Sequence, residues 1–322
     1  MAGEPSTPDV LVTGATTADF YFDSATGGTV GTETEWIPGG IGTSVARALA
    51  LLDEPPLLAT RLGDDSFATA IGRQLDAYDV PRTLVTETTA DTPLLFYVPE
   101  EAGGPRWEPR IEGSSFGFDI PDGSESLFAD LSVVHLTGTT LPPEISLDAM
   151  RTAVEYATAH DVDVSFDMNC RPNQWSDLSK YTGLAVELLA AADLVFASTD
   201  DLALAGFDEG IDGLLSALPE RASALAFLTE GGDGATAVRI DEGSVTTRYT
   251  HPGFDVEVVD PAAGGDAFAS AVLAALENGV TDLETLVEVG NAAGAAAVTS
   301  MGPLRDGDIE VLRSHSNWWP FE

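Results

Sequence analysis

Residues 254–276, FDVEVVDPAAGGDAFASAVLAAL, decide how the chain is read. Phe254 to Val259 has the apolar content of a buried strand. Phe268, Val272 and Leu276 then recur at four-residue spacing, on one face of a helix that Gly279 closes. Between the two, Ala262, Ala263, Gly264 and Gly265 carry so little bulk that backbone N–H groups at a helix start can converge on an anion. Asp266 stands where that helix begins. A carboxylate repels a phosphate, but beside one it can take a proton from an attacking hydroxyl. The chemistry implied is phosphoryl transfer. A plain N-cap, worth about 1 kcal/mol, would account for the same Asp without a ligand, so the rest of the chain has to decide.

Outward from this turn, strands and helices alternate. Apolar strands at Val10–Thr13, Leu57–Leu62, Ser132–Leu136, Val162–Phe166, Asp193–Ala197 and Ala224–Leu228 are interleaved with helical patterns, among them 144–160. Thr281-Asp282-Leu283-Glu284 has the form of a capping box ahead of a long helix. This order predicts a doubly wound α/β fold, a mainly parallel sheet with helices on both faces and ligands at the carboxyl ends of its strands. Residues 20–37 and 83–118 break the rhythm with short β-like pieces and are expected to form a small β-sheet lid that keeps water from the site. Arg110 and Gly113-Ser114-Ser115 could reach substrate from that lid, and Asp19 falls in a turn just before it. With no linker or repeat, residues 1–322 are expected to form a single domain.

The turn Asp260–Asp266 resembles the D-T-x-G-A-G-D signature of the ribokinase-like, or PfkB-type, carbohydrate kinases, with Pro261 in place of Thr and Ala-Gly in place of Gly-Ala. Further segments resemble that family in the same order, from about Asp19 to Gly302. GGIGTSVARALALL (39–52) is similar to G-G-x-x-x-N-x-A, with Ser44 at the Asn position, and RLGDDSFATAIGRQL (61–75) to G-D-D-x-F-G. FDMNCRPNQW (166–175) resembles the D-x-N-x-R-x-x-x-W segment of fructokinases and 2-keto-3-deoxygluconate kinases, and TEGGDGATAV (229–238) the T-x-G-x-x-G that borders ATP. Ser198 and Asp201 stand where the family has N-x-x-E.

The resemblance implies an ATP- and Mg²⁺-dependent sugar kinase, with a monovalent cation such as K⁺ as a further expectation. It makes Asp266 the catalytic base and Ala263, Gly264 and Gly265 the anion hole. Asp19, Gly39, Gly40, Ser44, Arg110, Asn169 and Arg171 would bind the sugar. Ser198, Thr229, Gly231, Gly234, Gly265 and Asn291 would bind the nucleotide, and Asp201 would serve the metal. It also implies dimers formed through the lid.

Fourteen Lys and Arg stand against 53 Asp and Glu, a formal charge of −39, with Lys180 the only lysine. Nucleic acid and anionic membranes would be repelled, so neither is an expected partner. The acidic but periodically apolar sequence instead resembles proteins of salt-accumulating halophiles. One cysteine, Cys170, allows no internal disulfide, and MAGEPSTPDV has no signal-peptide pattern, so a cytoplasmic protein is expected. Lys180 in DLSKYT has no glycine loop beside it, which excludes a Walker-type site. Gly232–Ala237 fits G-x-G-x-x-A, but strand-like residues follow it instead of a helix, which sets aside dinucleotide chemistry. The four histidines lack ligand spacing for zinc. A non-catalytic binding protein that kept the fold is the remaining rival, and the retained Asp266 argues against it. Among acceptors, fructose or a similar ketohexose is favoured over 2-keto-3-deoxygluconate, whose carboxylate Arg171 could hold by two hydrogen bonds. Nucleosides fit less well, because the sugar-binding motifs show no clear aromatic platform.

Overall fold

The computed structural model describes residues 8–22, 34–98, 106–141, 144–219 and 223–315. Its strands are β1 (Val10–Thr13), β2 (Thr17–Phe22), β3 (Thr34–Gly39), β4 (Leu57–Leu62), β5 (Val85–Glu87), β6 (Leu94–Val98), β7 (Arg106–Arg110), β8 (Val133–Thr137), β9 (Asp163–Asp167), β10 (Leu194–Ser198), β11 (Ser223–Thr229), β12 (Ala235–Asp241) and β13 (Ser244–His251). The helices are α1 (Ile41–Leu51), α2 (Ser66–Ala77), α3 (Glu144–His160), α4 (Leu178–Ala191), α5 (Thr199–Ala205), α6 (Gly210–Ala217), α7 (Gly264–Glu277), α8 (Leu283–Ala297) and α9 (Asp308–His315).

Nine strands form one sheet in the order β13-β12-β11-β10-β9-β8-β1-β4-β5. Every pairing from β11 through to β5 is parallel, and the β12–β13 hairpin adds an antiparallel edge. Alternation along each strand divides the core in two. Val10, Val12, Val133 and Phe196 pack with α1, α2, α7 and α8, whereas Leu11, Val134, Val195 and Ala197 pack with α3, α4, α5 and α6 on the other face. From β1 the chain moves to β4 on one side and to β8 on the other. This reversal of direction opens a crevice at the strands' carboxyl ends. Among the described residues no helix is long and apolar enough to cross a membrane.

A separate sheet, β3-β2-β6-β7, carries the expected small β layer, with corrections. Asp19 is not in a turn but within β2, and β5 pairs with β4 in the large sheet. Residues 23–33 and 99–105, also expected in this layer, lie outside the described residues. Two other expectations change. Residues 254–259 form no strand: the edge beside β12 is already filled by β13, and Pro252-Gly253 ends that strand. Val258 and Val259 are instead 58% and 53% exposed. The cap of α8 is Asp282 rather than Thr281, its carboxylate accepting the Thr285 N–H at 2.9 Å.

Candidate active site

The crevice is a cleft of ≈ 1570 Å³ whose lining joins the strand ends, the start of α7 and one face of the small sheet. The turn that leads into α7 ends at Ala263, which occupies the helix N-cap and has no polar side chain to satisfy the first N–H groups. The N–H groups of Gly265 and Asp266, in the first turn, therefore join the positive end of a 14-residue helix at the cleft surface. A Cβ at Gly265 would meet nothing, but one at Gly264 would lie 3.1 Å from Val298 Cγ1, and one at Gly294 would lie 3.1 Å from the Gly264 carbonyl oxygen. The two glycines thus let α7 and α8 meet at the site. Asp260 ties the turn down: its carboxylate accepts the Ala262 and Gly302 N–H groups, each at 3.0 Å.

Asp266 sits in the first turn of α7 rather than at its cap. Burial pushes its carboxyl up to about 7, against the pull of the Arg171 charge and a hydrogen bond from Asn169. Both partners come from the segment after β9. Asn169 has φ 35, a left-handed backbone that Asn tolerates better than most residues, and it is pinned there by the Thr139 hydroxyl, which lies 2.8 Å from Asn169 Oδ1. Its amide donates to Asp167 Oδ2 at 3.3 Å. Asp167, the first residue of the D-x-N-x-R segment, was given no role by the resemblance but lines the cleft. Burial pushes its carboxyl well above the usual carboxylate range, and the charges of Asp201 and Asp266 add to this.

Asp201 lines the cleft, but its oxygens are largely engaged. Oδ1 accepts the Cys170 N–H at 2.7 Å, and Oδ2 accepts the Ser198 N–H at 2.9 Å and hydroxyl at 2.6 Å, a capping box that starts α5. Ser198 and Asp201 thereby fasten the β9 segment to β10. Among the described residues no trio of His, Cys, Asp or Glu converges as a metal site. Thr229, Gly231, Gly234 and Asn291 also line the cleft, with the Asn291 amide turned back to the Val287 carbonyl at 3.0 Å.

At the other end, Asp19 projects from β2 toward Gly40 and Ser44 at the start of α1. Burial pushes its carboxyl up to about 7, opposed by the Thr17 hydroxyl, the Gly40 N–H and the Arg47 charge. Gly40 has φ 85, and a Cβ there would lie 2.5 Å from the Ala15 carbonyl, so this turn requires glycine. Gly39 lies behind the lining, where a Cβ would collide with the Asp19 carboxylate. Arg110 does not reach the site. It stands opposite Leu94, on the face that carries Phe96 and Glu108; it pairs with Glu108 at 3.1 Å, and its guanidinium lies 5.9 Å from the Phe96 ring centre. Nor do Gly113, Ser114 and Ser115 line the cleft; their neighbours Ile111 and Phe116 do.

Aromatic residues outside the sugar-binding motifs also line the cleft. Tyr21 and Tyr97 are paired across β2 and β6 and stacked at 4.1 Å, and Trp107 of β7 lies opposite Tyr97; all three rings line the cleft. Their positions in three different strands hid them from any single motif.

The pfkB family carbohydrate kinase profile matches residues 7–307. The chain is 33% identical over 258 residues to an ATP-dependent ribose-1-phosphate kinase of Halopiger xanaduensis, covering 80% of this chain and 79% of that protein. It is 25% identical over 273 residues to a fructokinase of Vibrio alginolyticus, covering 83% and 87%. An E. coli protein described as a ribokinase II, solved with ATP and Mg²⁺, superposes with a TM-score of 0.80 at 21% identity, covering 96% of this chain and 99% of that one, and shares the fold. With an uncapped start of α7 at the cleft, an acid in its first turn and a family match along residues 7–307, the chain belongs to the pfkB family of carbohydrate kinases and is a sugar kinase.

Proposed function

We propose that the enzyme transfers the γ-phosphoryl group of MgATP to a hydroxyl of an uncharged sugar. The observation that carries this reading is the uncapped start of α7 with Asp266 inside its first turn. As the acceptor oxygen bonds to phosphorus and the bond to the ADP oxygen breaks, Asp266 takes the acceptor's proton. The N–H groups of Gly265 and Asp266 hold the charge on the transferring oxygens, and Arg171 adds positive charge. The charges of Asp201 and Asp266 add to burial in raising the proton affinity of the Asp167 carboxyl, an environment that a divalent cation would neutralise. Mg²⁺ would neutralise the phosphates there, with Asp167 and Asp201 facing its water shell. Ser198, Thr229, Gly231, Gly234 and Asn291 would border the nucleotide, and the small sheet would cover the acceptor.

Arg171 is the one cation among the described residues that line the cleft. Beside Asp266 it serves the phosphoryl group, which leaves no second cation for an acidic or phosphorylated acceptor. A ketohexose such as fructose meets that condition, and 2-keto-3-deoxygluconate or the ribose 1-phosphate of the Halopiger relative does not. The test is ADP release in molar KCl with MgATP and each of the three. Fructose should be preferred, and Arg171→Ala should lower its kcat roughly ten- to a hundredfold. Preference for an anionic acceptor, lost selectively in Arg171→Ala, would reverse the assignment. Exchanging KCl for NaCl in the same assay tests the K⁺ requirement. We further propose pairing of two copies through the outer face of the small sheet, where Phe20, Phe22 and Phe96 stack while half exposed. Light scattering that gives a monomer mass would end that proposal.

A further inference from the structure

Two of the chain's few cations are turned inward without a partner. Arg47 is 4% exposed on α1, one turn beyond Ser44, and its Nε and Nη2 meet no hydrogen-bond acceptor. Arg305, in the segment that leads into α9, has a buried Nε that is equally unpartnered, although its Nη2 donates to the Met301 carbonyl. Among the described residues neither guanidinium takes part in an ion pair. Acids outnumber bases 53 to 14, so a shortage of carboxylates is not the reason. Those nearby are held by other donors. Asp308 Oδ2 accepts the Ser300 hydroxyl at 3.0 Å and the Arg305 backbone N–H at 2.8 Å. Asp260 accepts the Ala262 and Gly302 N–H groups, and Asp19 the Thr17 hydroxyl. Asp306 is exposed and receives the Tyr78 hydroxyl, from the C-terminal end of α2, at 3.5 Å.

A charged donor taken out of water without an acceptor is strongly unfavourable. Arginine keeps its proton at any working pH, so deprotonation gives no relief. Burial pulls the proton affinity of Arg47 down and the Arg305 charge adds to this, against Tyr78, Tyr21 and Asp308, so the two like charges act on each other. What the place lacks is a negative charge that can accept hydrogen bonds and is not already engaged. We infer that the junction of α1, the end of α2 and the start of α9 binds a small monovalent anion, chloride in a potassium chloride medium, on Arg47 Nε and Nη2 and Arg305 Nε. A halide needs only N–H donors and suits a closed junction, whereas a dianion would bring more charge than these groups have to spare. Neither arginine lines the cleft, so the anion lies apart from the phosphoryl-transfer site and does not depend on which acceptor is used.

Bromide locates such a site directly. Crystals of the full chain soaked in potassium bromide and measured at the bromine edge should show an anomalous peak within hydrogen-bonding reach of both guanidinium groups, and Arg47→Met crystals should lack it. Peaks confined to the surface would overturn the inference. In solution, chloride replaces glutamate, which is too large to enter, at constant potassium while the thermal midpoint is followed. Relative to Arg47→Met, the wild type should gain several degrees and then level off, because a ligand that binds only the folded state stabilises it until the site is full. Met keeps the length of Arg47 and removes the unpaired charge, so this variant should fold. Arg305→Gln, on a partly exposed side chain, supplies a second variant and should also lose most of the chloride gain. A chloride response identical in wild type and variants would overturn the site as firmly as a missing peak.

Discussion

The two ends of the cleft are built by different rules. At the phosphate end, the chemistry sits on consecutive residues: Ala263 to Asp266 occupy one turn at the start of one helix, and the backbone itself supplies the donors. At the acceptor end, Asp19, Tyr21, Tyr97 and Trp107 come from three strands, and they meet only because those strands pair in one register. On the proposed function, the first arrangement fixes what is transferred, and the second governs what receives it. The difference teaches that chemistry written into a single turn can be recognised from a short motif, whereas selectivity written across a sheet cannot.

Mutating each end should show that division. Asp266→Asn keeps the shape of the turn but cannot accept a proton, so kcat should fall roughly a hundred- to ten-thousandfold with any acceptor while the thermal midpoint stays near wild type. Activity near wild type would remove the phosphate end from the mechanism. A smaller effect should appear with pH. Because the folded carboxyl of Asp266 loses its proton near about 7, kcat/KM should rise toward that pH by roughly tenfold per unit and then level off. A profile flat from pH 5 to 8 would contradict this.

Salt should act on the whole molecule more gently. With a charge of −39, the folded state repels itself, and raising KCl into the molar range should lift the thermal midpoint by several degrees. A midpoint that fell would break the link between composition and habitat. The smallest effect is expected at Arg110, on the far face of the small sheet, where Arg110→Ala should change kcat/KM less than about twofold, as expected for an exposed ion pair. A large rise in acceptor KM would show that the two faces are not separate.

Much of the fold was legible because parallel strands buried on both faces appear as continuous apolar runs, as at Val10–Thr13 and Leu194–Ala197. The segment 254–259 has similar composition and was misread, because whether a ladder partner is available depends on β13 and not on the segment itself. Asp266 was recognisable from its place after the small-residue turn, and Asn169 and Ser44 from the family resemblance; all three line the cleft, but Arg110 was misplaced because the direction of a strand residue depends on pairing. Asp201 was recognised as an acid in the right place, yet its neighbours Cys170 and Ser198 hold its oxygens, which spacing alone does not reveal. Tyr21, Tyr97 and Trp107 had no local signal at all.

The alternating face of the small sheet has a consequence for descent. Tyr97 and Trp107 are side chains on strands whose hydrogen bonds run through the backbone, so a codon change at either alters the cleft lining and leaves the β6–β7 ladder in place. The turn at α7 has no such latitude, since Gly264 and Gly294 hold two helices together there. A gene duplicate could therefore drift toward a new acceptor one residue at a time, inheriting the phosphate chemistry untouched at every generation.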